Sequence, residues 1–217
     1  TALDSVTVNV GGPPSNDILC NGANSCAILY NTSATISWSS ANVTSCSVSP
    51  TGWTGTSNGG ISTGNLASSQ SYTLNCFAPG GNPPPDSVTV SVGPPPPDYV
   101  TEGLATAPGG LISGQSVTFA ATIRNSGPGA AAVSSQTRLR LDVNNDSSWI
   151  DLGNQTTDAL GAGSTQVENW ANAWTAQTGT HNFEICADIS SAIAESNEGN
   201  NCTTQLFTVG AGSPPSV

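Results

Sequence analysis

One short motif constrains this chain more than any other feature, because it occurs twice and is nearly identical in both copies. Asp-Ser-Val-Thr-Val-Asn-Val-Gly-Gly-Pro-Pro occupies residues 4–14, and Asp-Ser-Val-Thr-Val-Ser-Val-Gly-Pro-Pro-Pro occupies residues 86–96. Valine alternates with small polar residues, a period of two that predicts a half-buried β-strand. The Gly-Pro run that follows cannot continue a sheet ladder. Each copy therefore predicts a closing strand followed by a hinge.

The second copy closes a domain that precedes it, but only three residues stand before the first copy. We expect residues 1–12 to be an orphan strand and hinge, with Val6, Val8 and Val10 on its apolar face. An exposed strand of this kind tends to pair with a sheet edge, so the motif predicts an assembly strand that adds to a neighbouring subunit. The alternative is that it is the last strand of a domain lying upstream of this chain.

The composition indicates two all-β domains. A chain of 217 residues has room for two domains of roughly 100 residues. Only 8% of the residues are charged, and 24 glycines and 15 prolines indicate many turns and little helix. The net charge of -11, with three arginines and no lysine, disfavours nucleic acid or an anionic membrane as a partner. No apolar run approaches the ~20 residues of a membrane span.

The cysteines of the first half predict two disulfides. Cys20 and Cys26 flank a segment of turn-forming residues, which indicates a local bridge. Cys46 and Cys76 each share a strand face with large apolar residues, so both point into the core, and we pair them across it. An even number of cysteines in each half fits structural disulfides made in an oxidising compartment, which predicts an extracellular protein.

The first half resembles a known class of repeats. Ala-Thr-Ile-Ser-Trp at residues 34–38, Ser-Tyr-Thr-Leu-Asn-Cys at residues 71–76 and the closing motif resemble the immunoglobulin-like repeats of large bacterial surface proteins. The resemblance spans residues 13–92 and implies a β-sandwich. The tryptophan precedes the first core cysteine and the tyrosine lies four residues before the second, so antibody topology is not implied.

A proline-rich linker, residues 93–97, follows, and four consecutive prolines predict an extended strut of ~3 Å per residue. Beyond it, apolar residues alternate over residues 117–123, 139–143 and 183–189, which predicts three further strands. Cys186 and Cys202 fall on the outward parity of their strands, so we expect a cross-strand disulfide that is more exposed than the Cys46–Cys76 bridge.

The second half, residues 98–209, resembles the CARDB family, the cell adhesion related domain found in bacteria. Pro-Asp-Tyr-Val at residues 97–100, the segment 114–127 that ends in Ile-Arg-Asn-Ser-Gly, and above all Asp-Ile-Ser-Ser-Ala-Ile-Ala-Glu-Ser-Asn-Glu-Gly-Asn-Asn at residues 188–201 carry the resemblance. It implies a seven-stranded sandwich on a secreted or surface-anchored protein. Residues 210–217 form a Gly/Ser/Pro tail that we interpret as a further hinge.

Two acidic segments are candidate calcium sites. Asp142, Asn144, Asp146 and Asp151 space oxygen ligands as calcium loops do, but the glycine at the sixth place and the glutamate at the twelfth are absent. A polar turn between two strands is therefore the favoured interpretation, with Ca²⁺ the alternative. The acidic residues of the 188–201 segment are interpreted as loop architecture. No other cofactor is expected.

Catalysis is not indicated. Residues 60–64, Gly-Ile-Ser-Thr-Gly, match the nucleophile-elbow pattern of serine hydrolases, which requires a histidine nearby. The chain has one histidine, His181, which lies in the other half of the chain and is expected at a strand end. Trp170 and Trp174 lie on one strand face and could stack on glycans, although core packing is the more economical explanation.

The sequence thus predicts two tandem immunoglobulin-like β-sandwiches joined by a Pro-rich linker. We interpret the chain as a non-enzymatic extracellular structural protein, a stalk or filament subunit of a bacterial cell-surface assembly that associates with itself or with neighbouring surface modules. The alternative is an adhesin or surface module that binds glycans or proteins.

Overall fold

The computed structural model describes residues 12–212. This range contains fifteen β-strands and no helix, so the all-β class predicted from the alternating patterns is confirmed. None of the described residues forms a helix that is long and apolar enough to cross a membrane. Backbone contacts divide the chain into two compact units, residues 1–94 and residues 95–217.

The first unit is a sandwich of a three-stranded and a five-stranded sheet. One sheet has the order β1-β3-β6 and the other β2-β8-β7-β4-β5. All neighbouring pairs are antiparallel except β2 with β8, which run parallel. The strands are β1 (Ser15–Cys20), β2 (Ser25–Ile28), β3 (Thr35–Ala41), β4 (Ser45–Ser49), β5 (Trp53–Thr54), β6 (Asn58–Ser62), β7 (Gln70–Phe77) and β8 (Asp86–Val92).

The core of the first unit follows the period of two. Ile36 and Trp38 of β3 are buried, as are Tyr72 and Leu74 of β7, while the residues between them face outward. One expectation was wrong: Cys46 and Cys76 do not bridge the core. They are directly opposed on β4 and β7, neighbours in one sheet, because periodicity indicates the face of a residue and not the sheet of its strand.

The second unit has the seven strands that the CARDB resemblance implies. Its sheets have the orders β13-β10-β9 and β12-β11-β14-β15, and all pairs are antiparallel. The strands are β9 (Tyr99–Ala107), β10 (Ser116–Asn125), β11 (Ser135–Asp142), β12 (Trp149–Thr157), β13 (Thr165–Thr175), β14 (Gly179–Cys186) and β15 (Cys202–Val209).

The predicted strand over residues 183–189 is shorter in the structure. β14 ends at Cys186, and Ile189 lies in the loop that follows. Asp188 ends the alternation because it has a φ of 40°, in the left-handed region, and its carboxylate accepts N–H bonds from Ala192 (3.0 Å) and Ile193 (2.9 Å). The chain therefore turns where simple alternation would extend it.

The proline run is not a free strut along its whole length. Pro97 is buried, and the carbonyl oxygens of Pro96 and Pro97 accept N–H bonds from Gly129 (3.1 Å) and Ser196 (2.9 Å) of the second unit. Gly129 permits this packing, since a Cβ atom there would lie 1.8 Å from the Pro95 carbonyl oxygen. Proline has no N–H but keeps its carbonyl, so a proline segment can still be hydrogen-bonded to a domain.

Candidate functional site

Strand β8 is the second copy of the repeated motif, so it shows what the motif does in a folded domain. β8 lies between two other strands, parallel to β2 and antiparallel to β7. Its residues Val88 and Val90 are 1% and 0% exposed. The motif is therefore a central strand that supplies apolar side chains to the core.

The polar positions of β8 also make defined contacts. The hydroxyls of Ser87 and Thr89 are hydrogen-bonded to Thr73 (2.9 Å) and Ser71 (2.8 Å) on the outer face of β7. The carboxylate of Asp86 accepts a hydrogen bond from the Ile18 N–H at 2.9 Å. This bond links β8 to β1, a strand of the opposite sheet. Because five of the seven side chains of β8 are in these contacts or in the core, the motif specifies its surroundings as well as its conformation.

The first copy of the motif lies outside the described residues. In sequence, Val6, Val8 and Val10 align with positions 88, 90 and 92, and the only difference over the seven positions is Asn9, which aligns with the exposed Ser91. The predicted assembly strand therefore carries every side chain that β8 uses to pair and to fill a core.

The structure joins the six cysteines as three disulfides. The bridges are Cys20–Cys26, Cys46–Cys76 and Cys186–Cys202, with Cα–Cα distances of 5.7, 4.0 and 4.0 Å. Cys202 is exposed, but its partner Cys186 is only 4% exposed. The third bridge is thus exposed on one side only, because Cys186 lies on an inner strand of its sheet.

The residues of the candidate calcium loop serve as turn acceptors. Asp142 is buried, and its two carboxylate oxygens accept the N–H groups of Asp146 (3.1 Å) and Ser147 (2.7 Å). Asp151 accepts the N–H of Gly153 at 2.8 Å. Hydrogen bonds from Ser148 lower the pKa of Asp146. Asp142, Asn144 and Asp146 thus belong to the polar turn between β11 and β12 that the sequence favours, whereas Asp151 lies within β12.

One grouping of metal-ligand atoms occurs within residues 12–212, and it does not form a metal site. Glu184, Cys186 and Cys202 bring a carboxylate oxygen and two sulfurs within 4.8 Å of one another. The sulfurs are joined in a disulfide and cannot act as thiolate ligands. Glu184 in turn accepts a hydrogen bond from Arg140 Nε at 2.9 Å.

The acidic 188–201 loop holds the first strand of the second unit. Glu195 accepts the Tyr99 N–H and the Asn201 side-chain amide, and the Thr101 hydroxyl donates to the Asn201 carbonyl at 2.7 Å. Burial raises the pKa of Glu195 to about 7, opposed by the hydrogen bond from Tyr99. The loop therefore fixes β9 in place through hydrogen bonds to Tyr99 and Thr101.

The tryptophans of β13 do not form a glycan platform. Trp170 is 4% exposed and donates its indole N–H to the Gly153 carbonyl at 3.0 Å, so its faces are covered. Trp174 is half-buried and packs edge-on against His181, with ring centroids 4.9 Å apart. His181 is itself buried, inside β14 and not at its end. Core packing accounts for both tryptophans.

Phe77 of β7 is an exposed aromatic residue that was not predicted as a site from the sequence. Phe77 is 58% exposed and follows the outward parity of Asn75, on the face opposite to Leu74. The signal was present in the sequence, since Phe77 is an apolar residue at a position where the alternation of β7 calls for a polar one. It lines a groove of the first unit.

Comparison with known proteins places the second unit in a family. The CARDB family matches residues 96–205. No curated protein matches the chain. Among solved structures, a CARDB domain from Pyrococcus furiosus, solved in complex with di-metal ions, is 20% identical, with 54% of this chain and 96% of that one covered and a TM-score of 0.44.

Two further solved structures are similar to this chain. A domain of a protein named as a cell surface protein, from Methanosarcina acetivorans, is 24% identical over 52% of this chain and 91% of that one, with a TM-score of 0.40. An adhesin of Yersinia pseudotuberculosis is 11% identical over 89% of this chain and 58% of that one, with a TM-score of 0.27.

Proposed function

Because the chain belongs to the CARDB family, whose members are non-catalytic domains related to cell adhesion, we propose that it is a structural component of a bacterial cell surface. In this proposal it is a non-enzymatic stalk or filament subunit in the extracellular space. Its partners are other copies of itself or neighbouring surface modules.

The observation that carries the proposal is the near identity of residues 4–10 with strand β8. In β8 the motif is hydrogen-bonded on both sides, buries two valines and anchors an aspartate to the opposite sheet. A segment with the same side chains is suited to the same task in another sheet. Strand addition between subunits would use it in this way.

The energy of such an addition is substantial. Full burial of a valine side chain stabilises by about 1.5–3 kcal/mol, so Val6 and Val8 together would contribute about 3–6 kcal/mol, in addition to backbone pairing. The strand orders of the first unit leave β1, β2, β5 and β6 at sheet edges, where backbone groups can pair with an incoming strand. We therefore expect one subunit to extend a sheet of the next.

Electron microscopy of the purified chain tests the proposal. The full chain should form filaments, and a chain without residues 1–12 should not. Val6→Thr combined with Val8→Thr should also abolish filaments by removing apolar burial, whereas Asn9→Ser, which makes the two copies identical over seven positions, should preserve them. Filaments that persist after the deletion would refute strand addition, and monomers in every sample would refute a filament subunit.

A second candidate function is an adhesin-type module that binds glycans. The observation that favours it is Phe77, a large aromatic side chain that is 58% exposed at the border of a groove. Exposed aromatic rings with polar neighbours are a common feature of binding surfaces. The two candidates use different residues and can be tested separately.

A further inference from the structure

The groove beside Phe77 lies next to the short strand β5. β5 pairs with β4 at Ser47–Thr54 and Val48–Trp53, and the N–H of Gly55, whose φ is 129°, still donates to the Cys46 carbonyl at 3.1 Å. The groove has a volume of about 490 Å³ and is lined by residues of β4 and β7 and by residues 54–56. The volume lies within the range of small-ligand sites in proteins, ~300–1,000 Å³.

The floor of the groove is rigid. Cys46 and Cys76 are among the residues that line it, and their disulfide, whose side chains face the core, joins β4 to β7. The backbone of Phe77 is fixed as well, because its carbonyl oxygen accepts both the N–H of Thr44 (2.8 Å) and the hydroxyl of Thr44 (3.0 Å). A fixed backbone removes the cost of ordering the chain around the ring when a ligand binds.

Several polar groups that line the groove keep hydrogen-bonding capacity that folding does not use. Asn82 accepts the Ala78 N–H through its side-chain oxygen (3.0 Å), which leaves its NH₂ group free to donate. Within residues 12–212, the side chains of Ser45, Ser47 and Asn75, which line the same groove, make no hydrogen bond to one another or to the rest of the protein. Register places Ser45 opposite Phe77 and Ser47 opposite Asn75, so hydroxyls, amides and ring form one surface.

The charge of the groove selects the class of ligand. None of the eleven lining residues is charged, although the chain carries fourteen carboxylates and a net charge of -11. An anionic ligand would find no cation there, and a metal ion would find no carboxylate. A neutral molecule with one apolar face and many hydroxyls matches both the ring and its polar surroundings.

We infer that the groove bordered by Phe77 and Asn82 binds a neutral oligosaccharide, with the apolar face of one sugar ring against Phe77 and its hydroxyls paired with Asn75, Asn82 and Ser45. The inference rests on the second candidate function, glycan binding, and assigns it a location and a class of ligand. It does not depend on residues 1–12. The filament proposal can therefore be refuted without affecting this site, and the site can be refuted without affecting the filament proposal.

Titration of the full chain with neutral oligosaccharides, followed by NMR, tests this assignment. The probes are cellohexaose and chitohexaose, whose sugar rings have flat apolar faces, and a polygalacturonate hexamer as the charged comparison. We expect saturable shifts of the Phe77 ring and of the Asn75 and Asn82 side-chain amides with a neutral probe. No shift at these groups with either neutral probe at about 10 mM, a concentration above a millimolar Kd, would overturn the assignment.

Variants then link binding to the groove. Phe77→Ala should weaken binding at least about tenfold, and Phe77→Trp, which keeps an exposed ring, should retain or strengthen it. Leu206→Ala is the matched control, since Leu206 is also 58% exposed but lies in the second unit. Equal affinities of Phe77→Ala and Leu206→Ala would refute the site. Deletion of residues 1–12 should leave binding unchanged.

Discussion

Removal of one hydroxyl group should test how the first strand of the CARDB unit is held. Tyr99 is fully buried, and its hydroxyl both donates to the Asp158 carbonyl (3.1 Å) and accepts the Leu160 N–H (2.8 Å). Tyr99→Phe removes both bonds and leaves the ring in place, so the change isolates the hydrogen bonds from the packing of the core.

The two lost bonds differ in cost. Leu160 is 7% exposed, so its N–H has no access to water, and an unsatisfied buried donor costs about 1–3 kcal/mol. Asp158 is exposed and its carbonyl can bind water instead, which limits that loss to about 0.5 kcal/mol, the low end for a net hydrogen bond. We expect Tyr99→Phe to lower the free energy of unfolding of the second unit by about 1.5–3.5 kcal/mol.

Hydrogen exchange in increasing denaturant measures this quantity for each unit separately, read from the core strands β10 and β7. Tyr72→Phe in the first unit is the matched control: Tyr72 is 1% exposed, and within residues 12–212 its hydroxyl has no hydrogen-bond partner. That variant should change stability by less than about 0.5 kcal/mol. Equal effects of the two substitutions would show that the Tyr99 hydroxyl does not hold the strand.

Two further changes probe the surroundings of the same strand. Burial raises the pKa of Glu195 from 4.5 to about 7, so its stabilising contribution is complete below pH 4.5 and is lost as pH rises through 7. At ~1.4 kcal/mol per unit, with a discount for partial solvent exposure, the loss is about 1–2 kcal/mol. Urea unfolding should show it between pH 5 and 8 in the native protein and not in Glu195→Gln; equal pH dependence would contradict it. Gly129→Ala places a Cβ 1.8 Å from the Pro95 carbonyl and should speed amide exchange at Ser196, whereas Gly109→Ala, with no atom within 4 Å, should not; unchanged exchange would show that the prolines are not docked there.

Alternation in the sequence predicted the faces of the strands well. The inward valines of β8 are buried as expected, and the apolar positions of β10 and β11 fill the core of the second unit. Period-two patterns carry this information because successive side chains of a strand point to opposite faces. They do not say which strands are neighbours, so Cys46 and Cys76 were placed across the core when they are opposed in one sheet.

Buried polar residues could not be found from the pattern, because their role depends on distant backbone groups. Asn125 is fully buried, and its side chain bonds the Asp98 N–H (3.0 Å) and the carbonyls of Gly129 (2.8 Å) and Leu160 (3.0 Å). These partners lie up to 35 positions away in the chain. A single asparagine at the end of a predicted strand gives no signal of such a network.

The residues that carry the CARDB resemblance are occupied with the fold itself. Asp188 and Asn125 bond backbone groups of neighbouring loops, while Glu195 and Tyr99 fix the first strand. These side chains hold the loop and the first strand in place, so these residues of the family motif account for architecture. The assembly and binding proposals rest instead on the first copy of the Asp-Ser-Val-Thr-Val motif and on the exposed ring of Phe77, which lie outside this set of residues.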